Sequence, residues 1–327
     1  MDKISDPELR ELAEYLPLVA LQSRAPSTAK KYAGAFCRWR TWAATKPQVN
    51  PFPAKPIHVG LYLSYLIQKA NTSSPVEEVV NALSWAHNLA CVEDPTGHPL
   101  VKQVLEGAKR ILAHKTDKKE PITPEILKAL VDKYATTHAT LSDIRTLTIC
   151  LLGFAGFFRY NELAKIKECD LRFFKENLEI FVESSKTDQY RDGAVVVIAW
   201  TGTEYCPVAM LERYMQLANI SSSSPSENYI FRRLISTKNG QRLRDSANLS
   251  YTRARELVLA MLESIGLDRK QFGLHSLRSG GASAAANAGV PDRCFKRHGR
   301  WASESAKDGY VQDKLEDRLS VSKKLGL

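Results

Sequence analysis

GLHSLRSGG, residues 273–281, sets an imidazole, His275, three residues before a guanidinium, Arg278, on one face of a helix that starts after the break at Gly273. Three further stretches carry side chains that complement this pair. GFFRYNEL (156–163) holds Arg159, with Glu162 one helical turn on. SSKTDQYRDG (184–193) is polar, ends in Asp-Gly and reads as a long hairpin turn bearing Lys186. HGRWASESAKDGYV (298–311) holds His298, Trp301 and, nine residues beyond the tryptophan, Tyr310. Taken singly, each piece is ordinary. An Arg-Glu pair is usually a solvated helix face, a lone His or Trp more often sits in a core, and a turn lysine is usually just exposed. The order and spacing of the whole set are what matter.

The sequence around these pieces divides in two. A chain of 327 residues exceeds the roughly 100–200 of a typical domain. HKTDKKEP (114–121) is charged, free of aliphatic residues and closed by proline, as a linker is. The expected domains are therefore 1–115 and 116–327. The first reads as helices only. Asp6 caps one, with Pro7 at its first position, and Ser27 caps a second whose Tyr32, Phe36, Trp39 and Trp42 form an apolar face. A third spans Ile57 to Leu66 with Leu61, Tyr65 and Leu66 as its apolar side. Ser74-Pro75-Val76-Glu77 opens a fourth as a capping box, and Val101 to Leu112 makes a fifth. The second domain is mixed. Helices are expected at 124–134, at 142–153 and from Leu249 onward, and strands at 178–182 and 194–200 flank the Lys186 turn. The fold class is mainly α with a small antiparallel β-hairpin.

Composition narrows the partners. The formal charge of +10 favours a polyanion, because each phosphate neutralised releases condensed counterions. The 6 cysteines show no metal-site spacing and suit reduced thiols in an intracellular protein. The polar N-terminal stretch is no signal peptide, and the longest apolar run, 147–158, is far short of the roughly 20 residues a membrane span needs. No membrane association, cofactor or metal is expected.

The four pieces supply what phosphoryl transfer without a metal requires. Attack on a phosphodiester builds negative charge on the non-bridging oxygens, and two fork-shaped, permanently charged guanidiniums, Arg159 and Arg278, can clamp them. His275 reaches the same phosphate, and Trp301 offers a single fixed N–H donor. Tyr310 supplies a phenolic nucleophile that keeps the phosphate energy in an ester. Lys186 on its hairpin can give the departing oxygen a proton. Glu162 can hold Arg159 or His275 in place.

These residues resemble the tyrosine recombinases, the phage-type integrase family (Cre/XerD-like), whose pattern is Arg with an acidic residue three later, a hairpin Lys, His-x-x-Arg, and His or Trp nine residues before the nucleophilic Tyr. The nine-residue spacing places Trp301, not His298, at the variable position. The likeness runs nearly the full length, since STAKKYAGAFCRWRTW is similar to the family's first domain and HSLRSGGASAAANAGVP to the helix pair after the catalytic His. It implies an N-terminal helical core-binding (SAM-like) domain followed by an α+β catalytic domain. It implies strand exchange between two sites in double-stranded DNA by a homotetramer (monomer or dimer before synapsis), through a 3′-phosphotyrosyl intermediate and without ATP. The terminal helix with Leu315 and Leu319 would dock on a neighbouring protomer. DNA contacts would come from Lys30, Lys31, Arg38 and Arg40 in the groove, Arg253 on a guanine edge, and Arg232, Arg233 and Lys238 on phosphates. An integrase of a mobile element is the expected role, in the nucleus of a eukaryote or the cytoplasm and nucleoid of a bacterium. A type IB topoisomerase and a DNA-binding protein that no longer cuts are the alternatives. The compact size and the Trp before Tyr count against the first, and the complete catalytic set against the second.

Overall fold

The computed structural model describes residues 5–114, 118–183, 193–221, 223–238 and 240–326. The chain divides into two units, Met1–Asp117 and Lys118–Leu327.

The first unit is all helix: α1 (Pro7–Leu21), α2 (Pro26–Ala44), α3 (Pro56–Ile67), α4 (Ser74–Leu89) and α5 (Pro99–Ile111). A proline stands at the first or second position of every one, where its missing N–H costs nothing and its fixed φ suits the helix. That regularity corrects two expected caps. α2 starts at Pro26 behind Ala25, so Ser27 lies inside the helix and makes no cap. α4 starts behind Ser73, whose hydroxyl bonds Glu77 at 2.7 Å, one residue earlier than the expected box. The face of α3 is also corrected. Val59, Tyr62 and Leu63 are buried, whereas Leu61 and Tyr65 are exposed. The core gathers Trp39, Val76, Leu83, Val101 and Ala108, with the Trp39 indole donating to the Pro51 carbonyl at 2.9 Å. His87 is a satisfied core histidine. Its Nε2 accepts from the Ala54 N–H at 2.9 Å and its Nδ1 donates to the Leu83 carbonyl at 2.7 Å.

The second unit comprises α6 (Pro124–Tyr134), α7 (Leu141–Ala155), α8 (Tyr160–Leu163), β1 (Leu171–Phe173), β2 (Asn177–Val182), β3 (Ala194–Ala199), α9 (Pro207–Leu217), β4 (Arg232–Thr237), β5 (Gly240–Asn248), α10 (Tyr251–Ser264), α11 (His275–Asn287), α12 (Asp292–Gly299), α13 (Glu304–Asp308) and α14 (Leu315–Lys323). The fold is mainly helical with small antiparallel sheets. β1, β2 and β3 form one sheet in that order, in which Leu178 faces Ile198 and Ile180 faces Val196 on the buried side. β4 and β5 form a separate hairpin. α7 is the central element, opened by a reciprocal Thr140–Asp143 capping box and buried along most of its length.

α11 packs closely on the segment before α6 and on the end of α7 because it is small where it meets them. A Cβ on Gly280 would stand 1.9 Å from the Ile122 carbonyl oxygen, and one on Gly281 2.1 Å from that of Phe154. Neither backbone can withdraw without unpacking the core. Gly281→Ala is therefore expected to lower stability by about 1–3 kcal/mol. Gly107→Ala, in α5 where nothing lies within 4 Å of the added carbon, should raise it by roughly 0.4–1 kcal/mol. Urea-unfolding midpoints of the full chain check both.

Candidate active site

The site begins where α7 ends. Gly156 caps the helix, Phe157 takes a left-handed conformation (φ 47°), and the chain turns into α8 with Arg159 as its N-cap residue. This turn leaves the carbonyls of residues 155–157 without helical partners, and side chains from later segments fill them. Arg278, on α11, donates to the Phe157 carbonyl and, at 2.6 Å, to that of Gly299. Arg300 donates to Gly156 at 3.1 Å and to Phe157 at 3.1 Å. The His298 Nε2–H donates to Ala155 at 2.7 Å, and its ring stands edge-on to Phe157.

Glu162 lies at the centre. Its carboxylate bonds the Arg159 guanidinium at 2.8 Å, the Arg159 backbone N–H at 2.9 Å and Arg300 at 2.8 Å, and it lies 3.8 Å from Arg278. Burial alone would raise its pKa, but the charge of Arg300, the Arg159 amide and the charge of Arg278 outweigh it, so the value falls below the usual carboxylate range. The pKa of Arg278 is pushed down to about 10, by burial first and then by Arg159, against the pull of Glu162. It stays protonated at neutral pH.

Tyr310 is brought to this cluster by the end of the chain. Gln312 N–H bonds the Ser283 hydroxyl at 2.9 Å and the Asn287 amide bonds the Gln312 carbonyl at 3.1 Å, fastening the segment along α11. The Tyr310 ring centre lies 4.9 Å from the Arg278 guanidinium carbon and that of Trp301 4.8 Å, with the two rings 5.8 Å apart. Phe157, Ala282 and Phe295 complete an apolar floor beneath them. The Trp301 indole N–H and the Arg278 Nε are buried and have no hydrogen-bond partner among the described residues.

Arg159, Glu162, Arg278, Trp301 and Tyr310 thus meet in one place, with His298 behind them. His275 stands at the start of α11 and is exposed. Lys186 lies outside the described residues. Of the expected DNA contacts, Lys30, Lys31, Arg38, Arg40, Arg233, Lys238 and Arg253 are exposed, Lys31 and Arg38 sharing Glu78 at 3.1 and 2.6 Å. Arg232 is a correction. Its side chain is 8% exposed and bonds Glu168 at 3.0 Å, so its charge is spent inside the protein.

Two residues escaped the sequence reading. Arg300 carries no motif of its own in the sequence, yet it is the second cation on Glu162, at 2.8 Å. Lys307 anchors α13, and with it the approach to Tyr310, by ion pairs to Asp292 and to Glu304, the latter at 2.6 Å. Its legible signal was the Glu304–Lys307 spacing on one helix face.

The mainly helical second unit stacks a tyrosine near the C-terminal end on a buried arginine, an arrangement consistent with the tyrosine-type site-specific DNA recombinases. The phage integrase family model matches residues 120–316, more than half of the chain, and the chain belongs to that family. It is similar to an integrase/recombinase XerD homolog of Selenomonas ruminantium, 29% identical over 294 residues that cover 89% of this chain and 83% of that protein. Among solved structures it is similar to XerH recombinase bound to palindromic difH substrate (TM-score 0.62, 14% identity, 91% of this chain and 79% of that one). It is also similar to a lambda integrase dimer bound to a core site (0.57, 14%, 93% and 95%) and to the Tn1549 transposon integrase in complex with circular intermediate DNA (0.53, 13%, 83% and 85%). At these identities the likeness is one of fold.

Arg300 adopts φ 56°, a conformation that favours glycine. Arg300→Gly should nevertheless destabilise by about 2–4 kcal/mol, because losing a buried ion-pair partner outweighs relief of the strain. Arg300→Ala, which keeps the strain, should be worse by roughly 1 kcal/mol in the same urea titration. A second expectation concerns pH. Burial, then the Arg300 and Arg278 charges, push the His298 pKa below its ordinary 6.5 despite the bond to Ala155. The unfolded chain then takes up the extra proton, so stability present above about pH 6.5 is lost as pH falls. His298→Gln, which can keep the bond to Ala155, should make the fall in melting temperature between pH 7 and pH 5 shallower than in wild type.

Proposed function

We propose that this chain cuts and rejoins double-stranded DNA through Tyr310, in the integration or excision of a mobile element. The observation that carries this reading is the contact between the Tyr310 ring and the Arg278 guanidinium, beside an indole N–H that has no hydrogen-bond partner among the described residues. A buried donor left unbonded costs about 1–3 kcal/mol. A phosphate oxygen that reached Arg278 and Trp301 would recover that cost beside the nucleophile.

In the reaction, the Tyr310 oxygen attacks the scissile phosphorus as the bond to the 5′ oxygen breaks, leaving a 3′-phosphotyrosyl ester and a free 5′-hydroxyl. Arg159 and Arg278 take up the charge that grows on the non-bridging oxygens. Trp301 donates to one of those oxygens, and His275 takes up the phenolic proton as Tyr310 attacks. Lys186 gives its proton to the leaving oxygen. Glu162 and His298 hold the arginines and the turn after α7 in place. Attack of a partner strand's 5′-hydroxyl on the ester reverses the chemistry, and no other energy source enters.

The first unit, Met1–Asp117, takes the role of the helical core-binding domain, with Lys30, Lys31, Arg38 and Arg40 facing the duplex. Four protomers on two sites form the working assembly. The exposed apolar residues of α14, Leu315, Leu319 and Val321, support its docking on a neighbouring protomer. The mobile-element role is supported by the likeness to the transposon and phage integrases, and a DNA-acting enzyme of this kind works inside the cell.

The test uses nicked duplexes that tile the DNA flanking the gene. On the true site, wild type should give a protein–DNA conjugate that survives denaturation. Tyr310→Phe should give none while binding the same duplex within about twofold. A mutant conjugate equal to that of wild type would end the assignment.

A further inference from the structure

We infer that Arg300 is a positioning residue for strand cleavage, occupying one oxygen of Glu162 so that Arg278 stays against Tyr310 instead of pairing with that carboxylate. The inference rests on the DNA-cleaving reading above and names a residue on which that chemistry depends without touching the phosphate.

The Arg300 side chain is 7% exposed, and the protein itself fills its fork. One terminal nitrogen donates to the carbonyls of Gly156 and His298, at 3.1 and 2.8 Å. The other donates to the Phe157 carbonyl at 3.1 Å and to Glu162 Oε2 at 2.8 Å. The guanidinium carbon lies 4.9 Å from the centre of the Phe158 ring. Either terminal nitrogen could reach a phosphate only by giving up bonds it already makes. A part in the reaction therefore has to pass through the neighbours of Arg300.

The neighbour that matters is Arg278. Both arginines donate to the Phe157 carbonyl, and both face the same carboxylate oxygen. Glu162 Oε2 is 2.8 Å from Arg300 and 3.8 Å from Arg278, while Oε1 is taken by Arg159 at 2.8 Å. Burial opposes ionisation of Glu162, and the charge of Arg300 is the largest influence against it, ahead of that of Arg278. The order of these distances decides which cation the second oxygen neutralises. Arg300 does this from a left-handed backbone, φ 56°, a strained conformation of the kind that clusters at functional sites.

Without Arg300, Oε2 would keep only the Arg159 amide at 2.9 Å. A buried charge left so poorly paired is costly, and Arg278 is the cation beside it that is not yet within bonding distance. Closing to an ion-pair distance of about 2.8 Å would draw the Arg278 guanidinium across by about 1 Å. Its seat beside the Tyr310 and Trp301 rings would change, and Glu162 would neutralise the charge meant for the non-bridging oxygens. A misplacement of about 1 Å at a reacting centre can cost about 100-fold in rate.

The test separates the charge on Glu162 from the bonds to the carbonyls. Wild type, Arg300→Gln, Arg300→Lys, Glu162→Gln and the double variant Arg300→Gln/Glu162→Gln are compared as full chains. Each is held with a saturating amount of the nicked duplex on which wild type forms its conjugate, below every variant's melting transition. The readout is the first-order rate of conjugate formation. Arg300→Gln should be slower by about 10- to 100-fold, with a Kd for the duplex within about twofold of wild type. Arg300→Lys keeps a cation beside Glu162 but loses the forked bonds, so its melting temperature should fall while its rate stays within about fivefold of wild type. In the Glu162→Gln background no anion competes for Arg278, and adding Arg300→Gln should slow the rate by less than about twofold. If Arg300→Gln does not fold, Arg300→Gly, which relieves the left-handed strain, takes its place in both backgrounds. An equal loss in both backgrounds, a lysine variant as slow as the glutamine one, or an unchanged rate in Arg300→Gln overturns this inference and leaves the Tyr310 reading standing. Absence of a wild-type conjugate on every duplex overturns both.

Discussion

One carboxylate holds the catalytic unit's charged centre together. Glu162 is 4% exposed and touches or neighbours Arg159, Arg278 and Arg300, so four charges lie in a nearly dry space with a net excess of two positive. In such surroundings electrostatic forces are strong, and a single misplaced group leaves an uncompensated charge. The three cations come from three separate segments: the start of α8, the first turn of α11 and the left-handed turn after α12. Their common anion therefore sets the relative positions of pieces that are far apart in the chain. An excess of positive charge remains at the centre.

The same cations satisfy the backbone at a place where helix geometry cannot. α7 stops because Phe157 turns left-handed, and the carbonyls it leaves behind accept from Arg278, Arg300 and His298. A buried carbonyl without a donor would be costly, so the end of the central helix and the arrangement of the site depend on each other. Tyr310 then needs only a short tether. Ser283 and Asn287 fix the backbone just beyond it, and the pairs made by Lys307 fix the helix just before it. Tyr310 is mounted on the core from both sides, and its ring rests on Arg278.

What could be read beforehand follows the range of the forces involved. Helix starts were legible because proline and a capping side chain act locally, as at Asp6-Pro7, and the β2–β3 pairing follows from the strand patterns that flank the polar turn. The exact cap of α2 was misread because Pro26 at the first position outweighs a serine one residue later. The face of α3 was misread because Leu61 and Tyr65 match helical spacing as well as the buried Val59 and Leu63 do. The β5 strand, GQRLRDSAN, lacks apolar alternation and is held by its pairing to β4, which no local pattern announces. In the site, the spacing between Trp301 and Tyr310 was visible. That Arg300 turns inward to Glu162, and Arg232 to Glu168, was not, since burial of an arginine depends on a carboxylate distant in sequence.

The fate of each arginine follows from its counter-ion. Arg232 and Glu168 neutralise one another inside the protein, and Arg38 and Lys31 share Glu78 at the surface. Arg278 has only a share in a carboxylate already committed to two neighbours, and Arg145 has none among the described residues. A positive composition attracts polyanions in general, but it does not locate them. Location comes from buried guanidiniums whose neutralisation is incomplete, because there the desolvation cost has already been met by folding and an arriving phosphate gains most. On that physical ground the centre around Arg278 stands apart from the solvated lysines and arginines elsewhere on the chain.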